Sequence, residues 1–176
     1  NVFRPADTIE TFECWQLALG NLKTPSILAL TRQNLNPVRK EHTDENKCTL
    51  GAYEVFRSQQ DIQLAIFASG SEVNLALEVS HKLAMDNIYS KVISVPCQEI
   101  FEQQAESYKN DVLSEADFAI TIEAGSTNGW YKFVKNKGLN FGIDDFGKSA
   151  PYKEIYIYFG LTVDNIVKKT KNLIEN

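Results

Sequence analysis

Arg32 is the residue best placed to do chemistry. It follows the mostly apolar run from Ser26 to Leu30 by way of Thr31, and it precedes the turn residues Gln33 and Asn34. A run that ends this way predicts a buried strand delivering a cation to the edge of a sheet. In α/β proteins, ligands gather outside the carboxyl ends of strands. A guanidinium there can grip a phosphate or carboxylate through two parallel hydrogen bonds. A structural ion pair would use the same residue, and the pattern alone leaves both readings open. Glu123 ends a second apolar run, Phe118 to Ile122. A carboxylate in that place could act as a general acid or base. With no paired carboxylate or histidine at readable spacing, a structural hydrogen-bonding role is the better reading.

The other polar motifs are weaker. Ala68-Ser-Gly-Ser-Glu72 lies between a strand and a helix, where a phosphate-cradling loop would lie. It is neither a GxGxxG nor a P-loop pattern, and Glu72 would repel an anion. A tight turn with Ser71 as N-cap is expected instead. Cys14, Cys48 and Cys97 are far apart and make no CxxC, and the histidines are His42 and His81 only. A disulfide framework or zinc site is not expected, and a reducing cytoplasm fits best. Trp130, Tyr131, Tyr152, Tyr156, Tyr158 and Phe159 read as packing or interface residues. Ser149 reads as a cap and Pro151 as an early helical residue. These motifs make no complete active site, so the residues by themselves describe a binding or assembly module.

The elements that must position Arg32 and Glu123 follow from periodicity. Residues 5–22 predict a helix with Pro5 at its start and Asp7 and Glu10 near the positive end of its dipole. Its apolar face is Ile9, Phe12, Trp15, Leu19 and Leu22. With the strand at 26–30 it makes a helix-strand remnant of another α/β domain. Residues 37–60 are polar and weakly periodic, as a linker is, with a short edge strand at 51–56. From Asp61 onward, strands at 62–68, 91–95, 118–123 and 140–143 alternate with helices at 72–86, 98–103, 108–113, 130–134, 151–158 and 163–174. This order predicts an α/β fold with a mostly parallel twisted sheet and helices on both faces.

The bulk numbers bound the function. Of 176 residues, 43% are apolar and 23% charged, as in an ordinary globular protein, and the formal net charge is −5. That charge disfavours a nucleic-acid or anionic-membrane partner. No apolar run approaches the roughly 20 residues that span a bilayer, and no signal-peptide pattern is visible. The chain opens at Asn1 directly into a helix, which suggests a piece of a larger protein.

The ordered motifs resemble the carboxyl-terminal part of transketolase. Arg4-Pro-Ala-Asp7 opens the match. It continues through Thr31-Arg-Gln-Asn-Leu35, Ala68-Ser-Gly-Ser-Glu-Val73, Glu123-Ala-Gly125, Trp130-Tyr-Lys-Phe133, Phe146-Gly-Lys-Ser-Ala-Pro151 and the run from Phe159 to Val167. Each is weak alone, but their order and gaps make a strong signal over essentially the whole chain. The resemblance implies a homodimeric, cytoplasmic transferase of the pentose phosphate pathway. It would use thiamine diphosphate and a divalent metal, Mg or Ca, to move a two-carbon ketol unit between sugar phosphates. Residues 1–36 would be the tail of the pyrimidine-binding middle domain, 37–60 a linker, and 61–176 the C-terminal domain. Arg32 matches the family arginine that binds the substrate phosphate. Catalytic, cofactor and metal residues would all lie outside this chain, which alone should be inactive and bind no cofactor. The Arg-Gln-Asn-Leu run favours transketolase over deoxyxylulose phosphate synthase and the pyruvate dehydrogenase family, which share the domain plan, and leaves dihydroxyacetone synthase open. The alternative is a stand-alone, non-catalytic α/β binding or assembly module.

Overall fold

The computed structural model describes residues 1–41, 43–134 and 137–175, so the expectation concerning His42 lies outside the described residues. In chain order the elements are β1 (Val2–Phe3), α1 (Thr8–Gly20), β2 (Ile27–Leu28), β3 (Tyr53–Arg57), β4 (Leu64–Ala68), α2 (Glu72–Ala84), β5 (Ser90–Ser94), α3 (Gln98–Glu102), α4 (Glu106–Ser114), β6 (Phe118–Ile122), α5 (Tyr131–Val134), β7 (Gly138–Phe141), α6 (Tyr152–Phe159) and α7 (Val163–Glu175).

Five strands form the main sheet in the order β3-β5-β4-β6-β7. β5, β4, β6 and β7 run parallel, and β3 closes one edge antiparallel to β5. β4 is buried at every position, which its unbroken apolar run demands. Its side chains alternate between two cores, as strand geometry requires. Leu64, Ile66 and Ala68 pack with Val73, Ala76, Leu83, Ile166 and Val167 of α2 and α7. Ala65 and Phe67 face Phe101, Trp130 and Phe133 on the other side. The expected α/β sheet with helices on both faces is what the chain forms. Strand order reverses about β4, because β5 lies on one side of it and β6 on the other. The carboxyl ends of β4 and β6 therefore flank a crevice.

The N-terminal part departs from expectation. α1 starts at Thr8, not at Pro5. Asp7 is its N-cap and accepts from Glu10 N at 2.8 Å. The expected apolar face does not pack in this chain: Phe12 is 72% exposed, Leu19 71% and Leu22 94%. The buried residues of α1 are Glu10, Glu13 and Cys14, because the face turned to the main sheet is the one that meets its hydrogen-bonding groups. β2 is likewise short and not buried, with Ile27 63% exposed, since only β1 pairs with it.

The segment expected as a linker, 37–60, contains a 3₁₀ turn at Lys47–Leu50 and all of β3. The edge strand suggested at 51–56 is therefore there, hydrogen-bonded into the sheet. Ser71 does not cap α2. Its own backbone is helical and its hydroxyl donates to Glu72 Oε1 at 2.7 Å, while backbone carbonyls of Ser69 and Gly70 take the first amides. Ser149 does not cap α6 either, whose cap position is Pro151. Trp130 is buried, as a packing aromatic should be, whereas Tyr131 and Tyr158 are exposed. Cys14, Cys48 and Cys97 are free thiols buried in one small cluster with Phe3 and Tyr53.

Gly51 turns the chain into β3 with φ +73°, in the left-handed region. A Cβ there would stand 2.1 Å from Phe101 N and 2.6 Å from Cys97 O. Strain and overlap act together, so Gly51→Ala should destabilise the fold by about 2–4 kcal/mol. Denaturant titration of the pair measures it, and a loss below about 1 kcal/mol would contradict the close approach.

Candidate functional site

The segment before α1 lies across the carboxyl edge of the main sheet. Arg4 N donates to Pro96 O at 2.8 Å, and Gly70 N donates to Arg4 O at 3.0 Å. These bonds set the Arg4 side chain over the crevice between β4 and β6. Its guanidinium pairs with Glu123, and the Ser69 hydroxyl donates to the other Glu123 oxygen. Glu123 is 4% exposed. Burial pushes its carboxyl up to about 7, the nearby Glu72 adds to the rise, and Arg4 and Ser69 oppose it. Glu123 is therefore a hydrogen-bonded joint between strand end and N-terminal segment. Beside it, Glu72 accepts from Tyr156 of α6.

Glu10 makes the second joint. It is fully buried, and its carboxylate accepts from Ala6 N at 2.7 Å, Tyr53 Oη at 2.6 Å and Ser94 Oγ at 2.7 Å. Burial raises its pKa despite these donors. Glu10 lies in the first turn of α1, near the positive end of its dipole as expected, and the structure adds that it is buried. Its signal in the sequence is the Asp7-x-x-Glu10 spacing, a capping-box pattern whose acidic arm reaches back to the preceding backbone.

Arg32 lies beyond β2, exposed, and no hydrogen bond or ion pair ties it among the described residues. The expected buried strand does not deliver it. An open turn does, with Gln33 N donating to Thr31 Oγ1 at 3.1 Å. A cleft of about 360 Å³ lies beside this turn, walled by Asp7 and Thr11 on one side and by Thr31, Gln33 and Asn34 on the other. The second carboxylate oxygen of Asp7 accepts from Val38 N at 2.9 Å. Arg32 and Glu123 are not brought together in one pocket. Among the described residues no group of histidine, cysteine and carboxylate side chains could hold a metal ion.

Comparison with known proteins places this architecture. Residues 51–162 match the family model described as transketolase-like TK C-terminal domain. The chain belongs to the transketolase C-terminal domain family. A transketolase from Sinorhizobium medicae is 42% identical over 175 residues, which are 99% of this chain and 25% of that protein. The solved transketolase of Leishmania mexicana superposes with a TM-score of 0.88 at 36% identity, over 99% of this chain and 25% of that one. A variant transketolase of Pichia stipitis in complex with fructose 6-phosphate gives 0.89 at 34%, again over 99% and 25%. The chain thus spans about a quarter of the length of the curated relatives it matches.

In this family member the crevice carboxylate makes stability depend on pH. The pKa of Glu123 is raised from 4.5 unfolded to about 7 folded. The folded state holds the proton more tightly, so the contribution is full below 4.5 and is lost as pH rises through about 7. Buried Glu10 acts in the same direction. The melting temperature should fall across that window, and Glu123→Gln should flatten the fall. A variant curve as steep as the parent's would remove Glu123 as its source.

Proposed function

We propose that this chain is the C-terminal portion of a transketolase, and that Arg32 holds the phosphate of its sugar substrate. The reaction is transfer of a two-carbon ketol unit between sugar phosphates, as a step of the pentose phosphate pathway in the cytoplasm of the cell. The working enzyme is a homodimer that uses thiamine diphosphate and a divalent metal. The described residues offer no cluster suited to that metal, and no step through the cofactor is assigned to them. Residues 1–36 are taken as the tail of the pyrimidine-binding domain. The C-terminal domain is taken to start near residue 51, with the connection shortened to 37–50 by the pairing of β3.

One observation carries the role of Arg32. It is an exposed cation, unpaired among the described residues, on a Thr31-braced turn whose residues Thr31, Gln33 and Asn34 line a cleft. A structural ion pair would have engaged it. A guanidinium left open can take two phosphate oxygens at once. Further support is that a structural neighbour is a transketolase complexed with fructose 6-phosphate. Relatives that continue well beyond the matched span do not favour a stand-alone assembly module.

In the full-length enzyme, Arg32→Ala should raise KM for phosphorylated sugars, at a cost of about 1.5–3 kcal/mol in kcat/KM. Unphosphorylated analogues should be nearly unaffected. Equal losses on both substrate types would sink the assignment.

A further inference from the structure

The turn that carries Arg32 is anchored from the far side by the main-sheet unit. Asn36 O accepts from Asn74 Nδ2, in the first turn of α2, at 3.3 Å. Tyr156 of α6 donates its hydroxyl proton to Glu72 and lines, with Gln33, the space beneath the turn. Glu72 is held in turn by the Ser71 hydroxyl at 2.7 Å. Residues 33–36 otherwise overlie an open cleft of about 400 Å³ between themselves and α2 and α6. Close packing therefore does not set the height of the turn. A few polar contacts do.

We infer that Asn74 and Tyr156 are positioning residues for Arg32, holding the 33–36 turn so that the guanidinium meets the substrate phosphate. This rests on the proposed phosphate role of Arg32. It gives the C-terminal domain a part in substrate recognition, although none of its side chains need touch the substrate. The physical reason is that a displaced donor loses affinity as surely as a deleted one, because charge-assisted hydrogen bonds are short and directional.

The test uses the full-length enzyme carrying Asn74→Ala, Tyr156→Phe, Arg32→Ala and the Arg32→Ala/Asn74→Ala double variant. KM and kcat are measured for phosphorylated and unphosphorylated sugars, with melting temperatures to confirm folding. Each of the two positioning variants should raise KM for phosphorylated sugars about 2- to 10-fold, the loss expected for one neutral hydrogen bond. Their kcat values and their KM for unphosphorylated sugars should stay at the parent level. In the Arg32→Ala background, Asn74→Ala should add nothing. Asn74 is only half-buried, so its variant should fold even if Tyr156→Phe does not. Unchanged KM in the folded positioning variants, equal rises on both substrate types, or a full added penalty in the double variant would overturn the inference. If Arg32→Ala discriminates by phosphate and the other variants do not, the positioning role alone fails. If Arg32→Ala does not discriminate, the phosphate role falls and takes the positioning role with it.

Discussion

The fully buried carboxylate of Glu10 is the constraint on which the arrangement of this chain depends. It sits in α1, outside the main sheet, yet two of its hydrogen-bond donors are side chains of that sheet, Tyr53 in β3 and Ser94 in β5. A buried ionised group is tolerated only when its oxygens are occupied. Here all the partners converge from separate elements, so the helix can seat in only one orientation. That orientation turns Glu10, Glu13 and Cys14 inward and leaves Ile9, Phe12 and Leu19 outward. It also fixes the residues just before the helix. Asp7 then caps α1 with one oxygen and catches Val38 N with the other, which returns the chain toward the sheet after its excursion through β2 and Arg32.

Arg4 and Glu123 repeat the principle at lower cost. Glu123 is buried, but the Arg4 side chain is 44% exposed, so only one member of the pair loses most of its water. The pair spans the crevice at the reversal of strand order, where many α/β proteins place a ligand. In this chain the crevice is bridged by the protein's own arginine. The raised pKa of Glu123 expresses the balance: burial and Glu72 outweigh Arg4 and Ser69. Removing Arg4 would leave a buried carboxylate beside a second one, and it would take up a proton rather than remain charged.

Much of the fold was legible because periodicity reports local packing. β4 reads from an unbroken apolar run, β5 from its Val92-Ile93 centre stopped by Pro96, and α2 from its stripe through Val73, Ala76 and Leu83. The departures in the N-terminal segment share one cause. Periodicity alone would turn the apolar stripe of α1 inward, but which face meets the sheet is decided by long-range polar partners that periodicity cannot see. Glu10 meets Ser94 across 84 positions and Arg4 meets Glu123 across 119. Only the Asp7-x-x-Glu10 spacing hinted at the first, and nothing local hinted at the second. Ser71 and Ser149 failed as caps for a smaller reason: a serine before a helix is a cap only if its own backbone is extended, and Ser71 is already helical. Arg32 was found by its place after a strand, although the strand is shorter and more exposed than the pattern implied.

These joints together explain how a residue outside the main sheet can depend on it. Arg32 stands on a turn whose carboxyl side is tied twice, at Asp7 through Val38 and at α2 through Asn36. Asp7 belongs to the segment that Glu10 and Arg4 dock, and Asn74 follows directly from the Glu72 turn that packs beside Glu123. Both ties therefore lead back to the carboxyl edge of the sheet. A change at that edge would move both ties together, whereas a change at Asn74 would release one of them and leave the other in place. The height of the turn that carries the guanidinium is in this sense a property of the sheet edge, transmitted by a handful of polar contacts rather than by a packed core.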